Sequence, residues 1–407
     1  MEEEQKVREK KRNIKKPPVF YRGPKAQYDY ILLFAMLCLM LFGLLMLYSV
    51  TNYEDLMVSG DALKTAKKQA LYMGLGLLVM WGVTIIDYHF CLRVSVILLV
   101  LTVLVCAYTQ FFGTEVNGQR RWIMIGSFNF QSSELAKPAL ILILARYLTV
   151  HYKPRKRGQS DINIPYFLGG MFITGAATAF VIKNNLSTGL IVVGIGFFML
   201  YTASKAKWVY PIIILGGAAA LFAAWQLGII QHVLNENRLG RIYAWLEPEK
   251  YPKGGYQILQ SLYAVSSGGL FGKGLGTSIQ KLGFLPEAQN DMIFAIICEE
   301  LGWAGAIFTM LLFAVLFFRL HRVAQRAKDM SGFMIVSGVL IHLILQTVLN
   351  ICVATNFMPN TGVTLPFISS GGTAIICTLG EIGLVLAVDR QSPKESDIKR
   401  KQANEKE

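Results

Sequence analysis

Long apolar stretches separated by short polar segments dominate the chain. Ten of them approach or reach the roughly twenty apolar residues that a helix needs to cross hydrocarbon: 31–50, 69–86, 94–112, 135–150, 165–182, 186–202, 208–227, 292–318, 333–354 and 373–388. The pattern predicts an all-α polytopic membrane protein with about ten transmembrane helices and one long extracellular loop between the seventh and eighth. The stretch 135–150 is short and has Pro138 in its first turns, which predicts a kink or tilt. No cleavable signal segment precedes the first stretch, so that stretch is expected to stay as an anchor. Composition agrees. Of 407 residues, 53% are hydrophobic and 16% charged, against about a quarter charged in a soluble domain. The expected organisation is a basic cytoplasmic tail (1–28), a single transmembrane domain (29–390) that includes the loop 228–291, and a charged cytoplasmic tail (391–407).

The net charge of +14 is unevenly placed. Residues 1–28 hold nine Lys/Arg. Further clusters are Lys153 to Arg157, Lys205 with Lys207, Arg319 to Lys328, and Arg390 to Lys401. With ten spans and a cytoplasmic N-terminus, all of these fall on the cytoplasmic side, as the positive-inside bias requires. Charge that tracks topology in this way argues against a nucleic-acid surface. Three segments assigned to the outer side are also basic: Lys64, Lys67 and Lys68; Arg120 and Arg121; and the long loop, with Arg238, Arg241, Lys250, Lys253, Lys273 and Lys281. Long loops translocate regardless of charge; the other reading is an anionic ligand at the outer surface. Six scattered cysteines without CxxC spacing read as buried thiols, and five scattered histidines show no zinc spacing.

Chemistry-bearing residues concentrate in three segments. The first runs from Asn117-Gly118-Gln119-Arg120-Arg121-Trp122 to Gln131-Ser132-Ser133-Glu134-Leu135-Ala136-Lys137. Ser132 or Ser133 is a candidate helix cap. Glu134 and Lys137 are three apart and share a helix face, either as a structural ion pair or as the lining of a polar cavity. The second is the long loop, with Gly254-Gly255-Tyr256-Gln257, the glycine-rich Ser267 to Gly276 stretch around Lys273, and Leu285-Pro286-Glu287-Ala288-Gln289-Asn290-Asp291. Those glycines are compatible with a backbone cradle or with an irregular loop. Asp291 stands where the polar loop enters the eighth span, and is a candidate acid or base or a helix N-cap. Glu299 and Glu300, deeper in that span, should be paired or neutral. Glu299 is expected on roughly the face of Asp291. The third segment, Gln346-Thr347-Val348-Leu349-Asn350 and then Pro359 to Thr373, carries almost no charge and reads as structure around a site.

With these blocks in this order, the chain resembles the SEDS family of bacterial cell-wall polymerases, which includes FtsW, RodA and SpoVE, from the first span to the last. The basic N-terminal tail leans towards the FtsW and SpoVE branch. The resemblance implies a glycosyltransferase that polymerises lipid II on the outer leaflet, with a class B penicillin-binding protein as transpeptidase partner. It places the family's essential carboxylate on Asp291 and its Glu–Lys pair on Glu134 and Lys137. Arg120, Arg121, Lys137 and Lys273 are then candidates for the pyrophosphate, with Glu287 also at the substrate and Mg²⁺ or Mn²⁺ a candidate bridge between phosphate oxygens. There are departures. Asn184-Asn185-Leu186-Ser187-Thr188 replaces Pro-Asp-Leu-Gly-Thr, so no carboxylate is available there. Gln289-Asn290 replaces His-Thr or His-Ser, and Ser370 replaces a Tyr. A lipid II flippase is the rival reading, and a non-catalytic division scaffold a third.

Overall fold

The computed structural model describes residues 28–116, 119–125, 128–150, 164–204, 207–227 and 236–392. The expected tails, apart from residue 28 and residues 391–392, and the Lys153 to Arg157 cluster lie outside the described residues. All ten apolar stretches form helices: α1 (Tyr30–Ser59), α2 (Lys64–Ile85), α3 (Tyr88–Phe112), α4 (Ala136–Val150), α5 (Ile164–Asn184), α6 (Leu186–Ala203) and α7 (Val209–Gln226), then α10 (Ile293–Arg326), α11 (Met330–Ala354) and α12 (Gly372–Gln391). Eight of these are long and apolar enough to cross a membrane. Polar residues start several of them. The Asp29 carboxylate accepts from Leu32 N, Asp87 from His89 N, and Asp329 from Gly332 N, satisfying amides that the first helical turn leaves unpaired. The side chain of Asn185 caps α6 through Ser187 N and Thr188 N. Asn and Asp fill that role equally well, so the loss of an Asp at this turn leaves the turn intact.

One element departs from helix. Between α3 and α4 the chain forms a three-stranded antiparallel sheet: β1 (Thr114–Val116), β2 (Gln119–Ile125) and β3 (Phe128–Gln131), in the order β1-β2-β3. Trp122 pairs with Gln131 and Ile123 with Phe130. Thr373 Oγ1 accepts from Gln131 N and donates to Asn129 O, pinning the sheet to the start of α12. A 3-10 turn, Ser132–Leu135, leads into α4. Ser133 Oγ has no hydrogen-bond partner among the described residues, so it is not the expected cap.

The long loop is also structured. It contains two amphipathic helices, α8 (Glu236–Leu246) and α9 (Pro252–Ser267). Trp245 Nε1 donates to Asn356 O and Ser261 Oγ to Ala354 O, docking both helices on the end of α11. The glycine-rich stretch then packs against α10 where that helix breaks. Gly302 has φ +64° and ψ −161°, outside the helical region. Glu299 O and Glu300 O, freed by the break, accept from Lys273 N and Gly274 N; Trp303 N and Ala304 N donate to Gly269 O and Leu270 O. A span can break only where something re-satisfies its backbone, and here the loop does so. Glycine is required for that approach: a Cβ on Gly302 would sit 2.3 Å from Gly272 N, and one on Gly272 would sit 2.1 Å from Glu300 O.

At the end of the bundle where α1 begins and α10 and α12 finish, Asp29 accepts from Arg319 at 3.0 Å and 2.5 Å and from Arg326 at 3.0 Å, and Asp389 accepts from Asp29 N at 2.8 Å. These bonds tie three helices together at one end. The cavity described next lies at the other.

Candidate functional site

A cavity of about 730 Å³ opens at the end of the bundle opposite Asp29. It is walled by the end of α1, the start of α2, strands β2 and β3, the α5–α6 turn, the segment before α10 and the loop between α11 and α12. Most span ends on that side contribute polar groups, and the wall is charged with both signs. Lys64, Lys68, Arg121, Lys137 and Arg241 face it, and so do Glu54, Asp55, Glu134, Glu287 and Asp291.

Asp291 occupies the wall just before α10, and it is 6% exposed. It does not cap the helix, whose N-cap is Met292 with no side-chain cap bond. Its Oδ1 has no hydrogen-bond partner among the described residues. Its main chain is held firmly: Asn350 Nδ2 donates to Asp291 O at 2.8 Å and to Val363 O at 2.8 Å. Burial pushes the Asp291 carboxyl up to about 7, with the charge of Glu287 adding to the rise and Arg241 opposing it. A carboxyl with one unpartnered oxygen, on the wall of a polar cavity and titrating near neutrality, is suited to accept a proton from a bound hydroxyl.

Glu134 and Lys137 are brought together as their spacing predicts, at 2.7 Å, both buried and both on the cavity wall. Lys137 Nζ also donates to Gln346 Oε1 at 2.9 Å. An ammonium has three donors; among the described residues Gln346 takes one and Glu134 is in ion-pair contact, which leaves donor capacity for a ligand oxygen. Arg121 lines the cavity. Arg120 stands on the same strand, and its side chain lies outside the described residues, as does that of Arg238. Glu287 lines the wall with a backbone φ of +57°, and its carboxylate accepts from Asn290 Nδ2 at 2.6 Å.

Lys273 is placed elsewhere. Its ammonium pairs with Glu299 at 2.7 Å beside the α10 break, away from the cavity wall. Ser278 Oγ donates to the same Glu299 carboxylate. Glu300 accepts from Lys281 at 2.9 Å and from Ser49 Oγ at 2.6 Å. Both glutamates are therefore paired, and the glycine-rich stretch acts as a backbone splint for a broken helix. The expectation that Glu299 shares a face with Asp291 fails because α10 starts only at Ile293.

The uncharged Pro359 to Thr373 segment supplies wall and framework. Ser370 N donates to Gln289 O and Gln69 bridges Ser369 O and Gly371 N. Gln346 and Asn350, read from the sequence as structure around a site, are the groups that hold Lys137 and Asp291, and Lys64, Lys68 and Arg241, read only as outer basic residues, stand on the cavity wall. The visible signal for the first two was polar residues four apart inside an apolar span. Among the described residues no three His, Cys, Asp or Glu side chains converge as a metal site.

The chain matches the family model described as "Cell cycle protein", FtsW/RodA/SpoVE, over residues 29–394. It is 36% identical over 377 residues to the stage V sporulation protein E of Bacillus subtilis, covering 90% of this chain and 98% of that one. It is 33% identical to a probable peptidoglycan glycosyltransferase FtsW of Pseudoalteromonas translucida, covering 90% of each. Among solved structures it resembles a chain from a study of polymerization and crosslinking by a peptidoglycan synthase complex, with a TM-score of 0.72 at 25% identity over 89% of this chain and 98% of that one. It also resembles a variant of the rod shape determining protein RodA of Thermus thermophilus, with a TM-score of 0.65 at 25% identity over 90% and 99%.

Proposed function

The chain belongs to the FtsW, RodA and SpoVE family, and from that premise we propose that it is a peptidoglycan glycosyltransferase polymerising lipid II at the outer face of the cytoplasmic membrane. The observation that carries the reading is Asp291, buried on the wall of a polar cavity with an unpartnered carboxylate oxygen and held from behind by Asn350. In the reaction the 4-hydroxyl of the acceptor sugar attacks the anomeric carbon of the donor and undecaprenyl pyrophosphate leaves. Asp291 takes the hydroxyl proton, a contribution of roughly 10²–10⁴-fold. The departing pyrophosphate develops negative charge, and Lys137 and Arg121 are the cations placed to meet it, with Lys64, Lys68 and Arg241 on the same wall. Alignment of the two lipid-linked substrates supplies the rest. Direct displacement inverts the donor anomer.

Both termini are assigned to the cytoplasm, which puts the cavity at the outer surface and the Asp29 cluster at the inner one. The basic residues Arg319, Arg322 and Lys328 then lie inside. A class B penicillin-binding protein is the proposed partner, since polymerised strands need a separate transpeptidase for crosslinking.

The test is polymerisation of labelled lipid II by purified protein. Asp291→Asn is expected to fold and to make no glycan; wild-type glycan synthesis by that variant removes Asp291 as the base. In vesicles, polymer from substrate supplied only on the outside is expected. Translocation of lipid II without polymer would instead establish a flippase.

A further inference from the structure

Helix α11 carries a polar stripe only partly used above. His342, Gln346 and Asn350 are four apart and so lie on one helix face. All three are buried. Asn350 holds Asp291, and Gln346 holds Lys137. Gln346 Nε2 donates to Thr364 O at 2.9 Å while its Oε1 accepts from Lys137, so the amide bridges two walls of the cavity.

His342 and Glu381 stand behind it. His342 Nε2 lies 2.7 Å from Gln346 Oε1, and His342 Nδ1 lies 2.6 Å from Glu381 Oε2. An amide oxygen only accepts, so Nε2 carries a hydrogen. The Nδ1 contact needs a hydrogen as well, carried either by an imidazolium against a carboxylate or by the carboxylic acid against a neutral ring. Both arrangements are neutral overall, and both leave Nε2–H donating to Gln346. The consequence is directional. A reversed Gln346 amide would set NH₂ against Nε2–H and NH₂ against the Lys137 ammonium, donor against donor in both places. The His342 donor therefore acts with Thr364 O, which takes the amide N–H, to hold the Gln346 oxygen towards Lys137.

We infer that Glu381 and His342 form a positioning pair which, through Gln346, sets the Lys137 ammonium at the cavity wall to receive a pyrophosphate oxygen of the substrate. This rests on the reading of Lys137 as a pyrophosphate contact. Neither residue touches substrate. Their effect belongs in substrate binding, whereas Asp291 acts on the chemical step.

Steady-state kinetics of the full-length protein in proteoliposomes, with labelled lipid II, separate the two. His342→Ala is expected to raise KM about tenfold with kcat within about twofold of wild type. Glu381→Gln, whose amide N–H can donate to Nδ1, should keep KM near the wild-type value, and Glu381→Leu, which lacks that donor, should raise it like His342→Ala. In a Lys137→Met background His342→Ala should add no further rise. A His342→Ala protein with reduced kcat and unchanged KM overturns the inference, since that is how a smaller folded fraction behaves. Equal KM values for Glu381→Gln and Glu381→Leu overturn it as well, and these two variants decide the matter if His342→Ala does not accumulate. A wild-type protein that makes no polymer overturns the polymerase reading itself and this inference with it.

Discussion

A single carboxyl illustrates how burial and neighbouring charge set a working pH. Burial and the charge of Glu287 bring Asp291 to about 7. The proposed base works only when ionised, so the glycan synthesis rate should rise with pH through about 7, falling about tenfold per unit below it. Glu287→Gln removes the second cause and should move this limb to lower pH. Arg241→Gln removes an opposing charge and should move it to higher pH. Rate–pH profiles of the three proteins check this; a limb that stays fixed in both variants would remove Asp291 as its source. Stability should respond in the opposite direction. The folded state binds this proton more tightly than the unfolded chain, so the stabilisation is complete below about 3.8 and is lost as pH rises through about 7. Asp291 was legible in the sequence as a carboxylate at a loop-to-span junction. Its freedom from helix capping was not, because that depends on where α10 begins and on what faces the carboxylate.

At the scale of elements, α10 and the glycine-rich stretch behave as one unit. Two amides of the stretch replace Trp303 N and Ala304 N at the carbonyls of Glu299 and Glu300. Gly302→Ala should therefore lower the melting temperature in detergent sharply. The left-handed backbone alone costs about 1–3 kcal/mol for a residue with a Cβ, and that Cβ would also meet Gly272 N at 2.3 Å. Gly82→Ala in α2 is the control: nothing lies within 4 Å of its added Cβ, and it should be neutral or slightly stabilising. If Gly302→Ala melts like Gly82→Ala, the splint contributes nothing. The sequence displayed these glycines and Lys273 without telling a phosphate cradle from a splint. Both uses need glycine for close backbone approach, and only the packing partner differs. The three-stranded sheet was missed for a related reason: its two outer strands are short, and what pins the sheet is Thr373, more than two hundred residues away.

Across the whole molecule, the two ends of the bundle do different work. At one end buried charges close it. Burial alone would raise the Asp29 carboxyl, but hydrogen bonds from Arg319 and the charges of Arg319 and Arg326 outweigh it and hold Asp29 below its ordinary value. The stabilisation is therefore present above about 3.8 and is lost as pH falls. Asp29→Ala leaves Arg319 without its carboxylate and Arg326 with only Asp389 at 3.7 Å, and should cost about 3 kcal/mol, read as a lower melting temperature at neutral pH whose difference from wild type narrows in acid. At the other end the charges face a cavity. The assigned orientation can be checked with single cysteines in a cysteine-free background. Lys67→Cys should react with a membrane-impermeant reagent added outside intact cells, and His321→Cys only after permeabilisation. The reverse pattern would place the cavity in the cytoplasm and remove the lipid II reading.

By itself the sequence determined the ten helices and the pairing of Glu134 with Lys137. Both follow from local quantities, hydrophobic run length and i,i+3 spacing. Tertiary structure alone decided which cations meet in the cavity, why Lys273 does not, and how Asn350 and Gln346 hold Asp291 and Lys137. Those outcomes depend on which span ends converge, and helices distant in sequence settle that by packing their backbones together. A buried polar group in such a bundle must find its partner wherever the fold brings one, and sequence distance carries no record of it.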